Sequence, residues 1–228
     1  MVSETLVTHD SDLQAFWEEA EEQLLPPIRL AIAYAPAAAR QLWTGFFMLD
    51  RRFAQIVATA REPMLAQMRL AWWRETLHRP VEDWPAGEPL LAALSDWGEE
   101  RSALAGLADG WEAMIGEPPL DAAAFASLAG AREDAISALG RLSGADAARA
   151  AAHRWALADI AMNLSDETER GRVDALLASA TKPSGKCPKS MRPIAVLDAQ
   201  TQRALAEGRR IGGPGDLAVA LRIGLLGR

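Results

Sequence analysis

Cysteine occurs once in these 228 residues, tyrosine once and histidine three times. The single Cys187 cannot form an intrachain disulfide, which suits a reducing, cytoplasmic setting. His9, His78 and His153 lie on separate segments without ligand spacing, which argues against a zinc site. No run approaches the ~18 apolar residues of a membrane span. The longest candidate, 30–39, is broken by Pro36. The first ten residues carry neither a basic n-region nor an apolar h-region, so no secretory signal is expected. Positive charge is in deficit: 24 Lys and Arg face 31 Asp and Glu, a formal net charge of −7. That speaks against nucleic acid as a partner, although it leaves room for a local basic pocket. GxGxxG, P-loop and GxSxG patterns are all missing.

What is present is helical. Half the residues are hydrophobic, with Ala and Leu dominant and Val, Ile and Thr sparse. Ser11-Asp12-Leu13-Gln14 reads as a capping box opening a helix over 11–25. Pro26-Pro27 ends it, and a short helix follows over 28–34. From Pro36, the apolar residues Trp43, Phe46, Phe47, Leu49, Phe53, Ile56 and Val57 recur mainly at helical intervals. Further helices are expected over 63–78, 90–96, 99–115, 121–142, 146–165, 167–180, 192–207 and 216–226. Proline and glycine clusters punctuate them at 79–89, 116–119, 181–190 and 212–215. Asp121 is a candidate N-cap. There is no internal repeat and no marked boundary. The expectation is therefore one all-α helical bundle over 1–228.

The most specific segment is Pro63-Met64-Leu65-Ala66-Gln67-Met68-Arg69-Leu70-Ala71-Trp72-Trp73-Arg74-Glu75. Pro63 suits the first helical position, where its missing N–H costs nothing. The run resembles a "MRLxWWRE" signature of bacterial squalene/phytoene synthases. Other segments are similar to that family in order along the chain, from about residue 35 to 227. Residues 47–58, beginning Phe47-Met48-Leu49-Asp50-Arg51, align with its first aspartate-rich motif, with Ala54, Gln55 and Ala58 where carboxylates stand. Leu107-Ala108-Asp109-Gly110-Trp111-Glu112 resembles its "LIDGMExDL" helix, and Leu139-Gly140-Arg141-Leu142 its "VGxL" helix end. Residues 159–172, which include Asp159, Asn163, Asp166, Gly171 and Arg172, resemble a shortened second aspartate-rich motif. Residues 187–197 are similar to a "LPxxLRPLAVL" run.

The resemblance implies the isoprenoid-synthase fold and a prenyl diphosphate or prenyl lipid as ligand. In such enzymes, carboxylate-held Mg²⁺ on two facing helices stabilises the departing diphosphate. Asp159, Asn163 and Asp166 fall at i, i+4 and i+7, so they share one face if the helix continues that far. Two readings stand: one Mg²⁺ held with waters, or solvated residues around a helix end with Asp166 as an N-cap. Phe47, Arg51, Arg69, Trp73 and Arg172 are the candidate substrate contacts. Arg69 shares a face with Trp73 and would stack on it. Arg69 and Arg74 are about 140° apart around the axis, so they do not share one pocket. Arg74 has a structural alternative in pairing with Glu75 or another acid. Trp72 and Trp73 read either as packing or as groove walls. Lys186 and Lys189 flank Cys187 and would lower its pKa, although a lone loop thiol is commonly incidental.

Two functions follow. The first is a divergent, non-catalytic family member that binds an isoprenoid or a partner protein, as in the family's complex I assembly factor branch. The second is an active Mg²⁺-dependent prenyltransferase making squalene or phytoene from farnesyl or geranylgeranyl diphosphate. Either ligand, being lipophilic, favours peripheral contact with the inner membrane. The eroded first motif favours the former, because stabilising the leaving group is the dominant catalytic term.

Overall fold

The computed structural model describes residues 2–145 and 148–227, with the backbone alone for 2–12 and Pro214. Among these residues there are eleven α-helices and no strand. They are α1 (Val2–Gln23), α2 (Pro26–Ala33), α3 (Ala37–Thr59), α4 (Pro63–His78), α5 (Pro89–Ala93) and α6 (Arg101–Glu112). After these come α7 (Ala122–Leu142), α8 (Arg149–Asn163), α9 (Glu167–Ser179), α10 (Arg192–Ala206) and α11 (Pro214–Leu226). The all-α expectation therefore holds.

The helix boundaries follow from local chemistry. Proline stands within the first two positions of α2, α4, α5, α10 and α11, where a missing N–H breaks no helical bond. α4 occupies the full span anticipated for the signature helix. At the other end of the scale, α1 starts at Val2, well before the proposed box. Ser11 therefore lies inside a helix by its backbone, and its side chain falls outside the described residues. Asp121 occupies the N-cap position of α7 without a side-chain cap bond. The segment expected to be one helix over 99–115 begins instead with a 3-10 turn, Ser95–Glu100, kinked at Gly98 with φ 49°. An L side chain is strained at that φ, so glycine belongs there.

Neighbouring helices follow the order α4, α6, α7, α8, α10, α11, each packed on the next, and α3 lies against α4, α6 and α7. α6 and α7 approach so closely at Gly110 that an added Cβ would sit 2.6 Å from the Ala131 Cβ. One hydrophobic cluster runs through the bundle from Ala20 to Ile223. Trp43, Phe46, Phe53, Trp97 and Phe125 are fully buried in it. Such rings bury about 150–250 Å² each and dominate core energetics. Trp43 also donates its indole N–H to the Ser190 carbonyl at 2.8 Å, tying α3 to the segment before α10. No helix among the described residues is long and apolar enough to cross a membrane.

Candidate functional site

Two cavities meet along α8. The first, about 470 Å³, lies among α3, α6, α7 and α8 and is walled by Phe47, Ala54, Val57, Met114, Leu128 and Ile160. The second, about 490 Å³, lies among α2, α8, α10 and α11. Both are lined by Leu25, Ile28, Trp155, Asp159 and Asn163. Each is largely apolar and within the size range of small-molecule sites. Ala54 and Ala58 line the α3 wall, one and two turns beyond Asp50.

The polar centre of this space is a buried charge cluster. Arg132, in the middle of α7, is 3% exposed and Asp50 on α3 is 7% exposed. The guanidinium grips Asp50 bidentately, Nε to Oδ1 at 3.0 Å and Nη2 to Oδ2 at 2.7 Å. Its Nη1 donates to Asp159 Oδ2 on α8 at 2.9 Å. Trp111 Nε1 on α6 donates to Asp50 Oδ1 at 2.8 Å. The Arg132 carbon Cζ lies 5.2 Å from both the Trp111 and Trp155 ring centroids. A planar cation thus bridges two carboxylates from facing helices and stacks on two indoles.

The electrostatics follow. Burial by itself would lower the Arg132 pKa, but Asp50 and Asp159 outweigh it and hold the guanidinium charged. Asp159 is half-buried at the cavity wall. Loss of water raises its pKa above the ordinary carboxylate value, Arg132 opposes that rise and Asp50 adds to it.

The candidate substrate residues separate into different surroundings. Phe47 is buried on the cavity wall and packs edge-on to Trp155, with centroids 5.6 Å apart. Arg51 is exposed at the rim of the same cavity. Arg69 and Trp73 line a different groove of α3 and α4, with Arg52, Ile56, Leu65, Met68 and Trp72. Trp73 is 3% exposed and packs on Phe53. The cation over Trp73 is Arg52, at 5.8 Å, which corrects the expectation that Arg69 stacks there. One helical turn separates Arg69 from Trp73, but Arg52 arrives from the facing helix α3. Arg74 pairs with Asp109 at 2.5 Å and Glu112 at 2.9 Å on α6, the structural alternative. Arg172 is committed to the chain before α7, donating to the Pro119 carbonyl at 3.1 Å and to that of Leu120.

The candidate metal residues also part company. Asp159 is held by Arg132, and Asn163 Nδ2 donates to the Asp159 carbonyl at 2.8 Å. Asp166 sits beyond the end of α8 and caps α9, accepting from the Glu169 N–H at 2.9 Å. It lines neither of the two cavities. Among the described residues, no group of three or more His, Cys, Asp and Glu side chains is placed to hold a metal ion. Cys187 behaves opposite to expectation. Burial pushes its thiol up to about 11, against a smaller lowering by Arg192, so the flanking lysines do not activate it.

Arg132 is the residue that sequence reading missed. It sits in Ala131-Arg132-Glu133-Asp134, a run that reads as a solvated charged face. Its only sequence-level signal is position: it follows Leu128 by four residues and precedes Ile136 by four, on the buried stripe of α7. No protein-family model, curated protein or solved structure matches this chain.

Proposed function

We propose that this chain is a non-catalytic relative of the squalene/phytoene synthases that shelters a prenyl lipid in the adjoining cavities. The observation that carries the reading is the Arg132 clamp on Asp50 and Asp159. In a catalytic relative, the facing carboxylates would be free to take Mg²⁺ and, through it, a diphosphate. Here the two facing carboxylates already share one internal cation. Recruiting them to a metal would strand a buried guanidinium, at a cost of about 3–5 kcal/mol. Ala54 and Ala58 add no oxygen ligand, whereas Mg²⁺ demands near-octahedral oxygen coordination. The residues present therefore do not suit a Mg²⁺-bound diphosphate.

The same walls suit the hydrocarbon. Phe47, Val57, Leu128, Trp155, Ile160 and Met162 offer apolar surface to a flexible chain, and their burial of it is the favourable term. A partner protein is the second reading. It is favoured by Met64, Met68 and Trp72 at i, i+4 and i+8 on the outer face of α4, all exposed. An active prenyltransferase is the remaining alternative.

Calorimetric titration with farnesol and with farnesyl diphosphate, each with and without Mg²⁺, tests the reading. Binding of the alcohol, independent of Mg²⁺ and abolished in Ala54→Trp, is the expected result. Absence of farnesol binding to the folded protein would overturn the lipid reading. Mg²⁺-dependent diphosphate release that is lost in Asp166→Ala would establish the prenyltransferase instead.

A further inference from the structure

α11 carries apolar side chains on both of its faces. Inward, Ala220 is fully buried and Ile223 is 8% exposed. Gly224 lets the helix settle on α2, since a Cβ there would run into the Tyr34 ring. The Gly224 carbonyl is fixed by Arg192 Nη1 at 2.6 Å, in a buried hydrogen bond. The helix is thus firmly seated by one side. Outward, Leu217, Leu221 and Leu225 follow at i, i+4 and i+8, with Leu226 beside them. Their exposures are 51%, 46%, 65% and 58%. Leu25, 64% exposed, shares with Leu217 the lining of the cavity between α2 and α11.

The unpaired charge around this stripe is of one sign. Arg222 is exposed on α11 itself, and Arg210 is exposed at the same cavity as Leu217. Arg29 is exposed on α2, which packs against α11. Lys186 is exposed where its chain runs beside Gly227, at the C-terminal end of the helix. None of these four cations has a salt-bridge partner among the described residues. The local acids are already held: Asp216, 2% exposed, by Arg209 at 2.6 Å, and Glu207 by Arg203 at 2.9 Å and Arg209 at 2.6 Å. A chain of net charge −7 has set aside one face where leucines and unpaired cations stand together.

We propose that the α11 face docks onto the surface of an anionic lipid bilayer, with the leucine stripe in the acyl boundary and Arg29, Lys186, Arg210 and Arg222 against the headgroups. Leucine side chains flanked by basic residues are what such an interface accepts. A second copy of the chain fits less well, because a two-fold contact through this stripe would bring like charges together. Docking in this orientation turns the cavity mouth at Leu25 and Leu217 toward the lipid. The proposal does not depend on what occupies the cavity.

Co-sedimentation of the full chain with vesicles tests it. Vesicles of phosphatidylcholine alone are compared with vesicles containing about one third phosphatidylglycerol, at low and high salt. Binding is expected only with the anionic lipid, and salt weakens it. Arg222→Glu lowers the partition coefficient roughly 30-fold, from the loss and reversal of one interfacial charge. Leu221→Ser/Leu225→Ser lowers it roughly 100-fold, from the apolar surface withdrawn. Both variants alter exposed side chains, and an unchanged thermal midpoint verifies their folding. No binding to the anionic vesicles, or equal binding by the leucine variant, would overturn the proposal. A dimer seen by light scattering that the leucine substitutions dissociate would also overturn it, assigning the face to self-association. Farnesol binding in solution is read separately, so the docking and lipid-shelter readings fail independently.

Discussion

Replacing Arg132 with methionine keeps most of the side-chain volume and removes the cation that joins α3, α7 and α8. Three hydrogen bonds between 2.7 and 3.0 Å disappear, together with stacking on Trp111 and Trp155. Asp50, whose side chain is 10% exposed, keeps only the Trp111 N–H. Breaking one side of a buried ion pair costs about 3–5 kcal/mol, chiefly through the charge left behind. For a chain of this size that corresponds to a fall in Tm of roughly 6–20 °C. Arg141→Met supplies the internal comparison. Arg141 meets Glu100 through two 2.6 Å bonds, a geometry as short as that of Arg132, but its side chain is 56% exposed. Its removal should cost under about 1 kcal/mol. Urea unfolding at pH 7 measures both. The Arg132→Met deficit should shrink toward pH 4.5, as Asp159, already raised by burial and now without Arg132, takes up a proton. Adding Asp50→Asn to Arg132→Met should recover part of it. Equal losses for Arg132→Met and Arg141→Met would refute the reasoning, because burial would then have made no difference.

Three further outcomes are expected. Asp166→Ala should cost about 1 kcal/mol by removing the cap on the Glu169 N–H, while leaving farnesol affinity unchanged; a changed affinity would return Asp166 to the site. Burial raises Asp198 to about 6, against the opposing Arg154. The folded chain therefore holds a proton that the unfolded chain has released, and stability falls by roughly 3 kcal/mol as pH rises from about 4 to 6. Asp198→Asn should match the parent at pH 4.5 and exceed it in Tm at pH 7.5; a parent that is more stable at pH 7.5 would contradict this sign. Cys187, with its thiol held protonated, should resist iodoacetamide at pH 7.5 until urea unfolds the chain; rapid native alkylation would contradict the burial argument.

The helices were largely legible because their ends are written locally. Pro63 begins α4, Gly144 follows α7 with φ 60°, and Asp166 caps α9 as one of its two readings proposed. The polar centre was not legible, because it is non-local. Asp50 and Arg132 are 82 residues apart, and α7 shows Arg132 beside two acids as if it faced water. Asp159 was visible as a functional candidate from its spacing, but spacing along one helix says nothing about a cation arriving from another. Arg69 illustrates the same limit, since helix periodicity placed it beside Trp73 and the facing helix supplied Arg52 instead. The leucines of α11 escaped for a different reason. A helix with leucine, alanine and isoleucine on both sides reads as buried, and only packing shows that one side was left outside.

The central claim is that an internal arginine, rather than a metal, joins the carboxylates of α3 and α8. Its most direct measurement is a single-turnover assay of inorganic diphosphate, with protein in excess over farnesyl diphosphate and Mg²⁺ at millimolar concentration. The account predicts no release above the protein-free control. Stoichiometric, Mg²⁺-dependent release would show that the carboxylates leave Arg132 for the metal and would contradict the account.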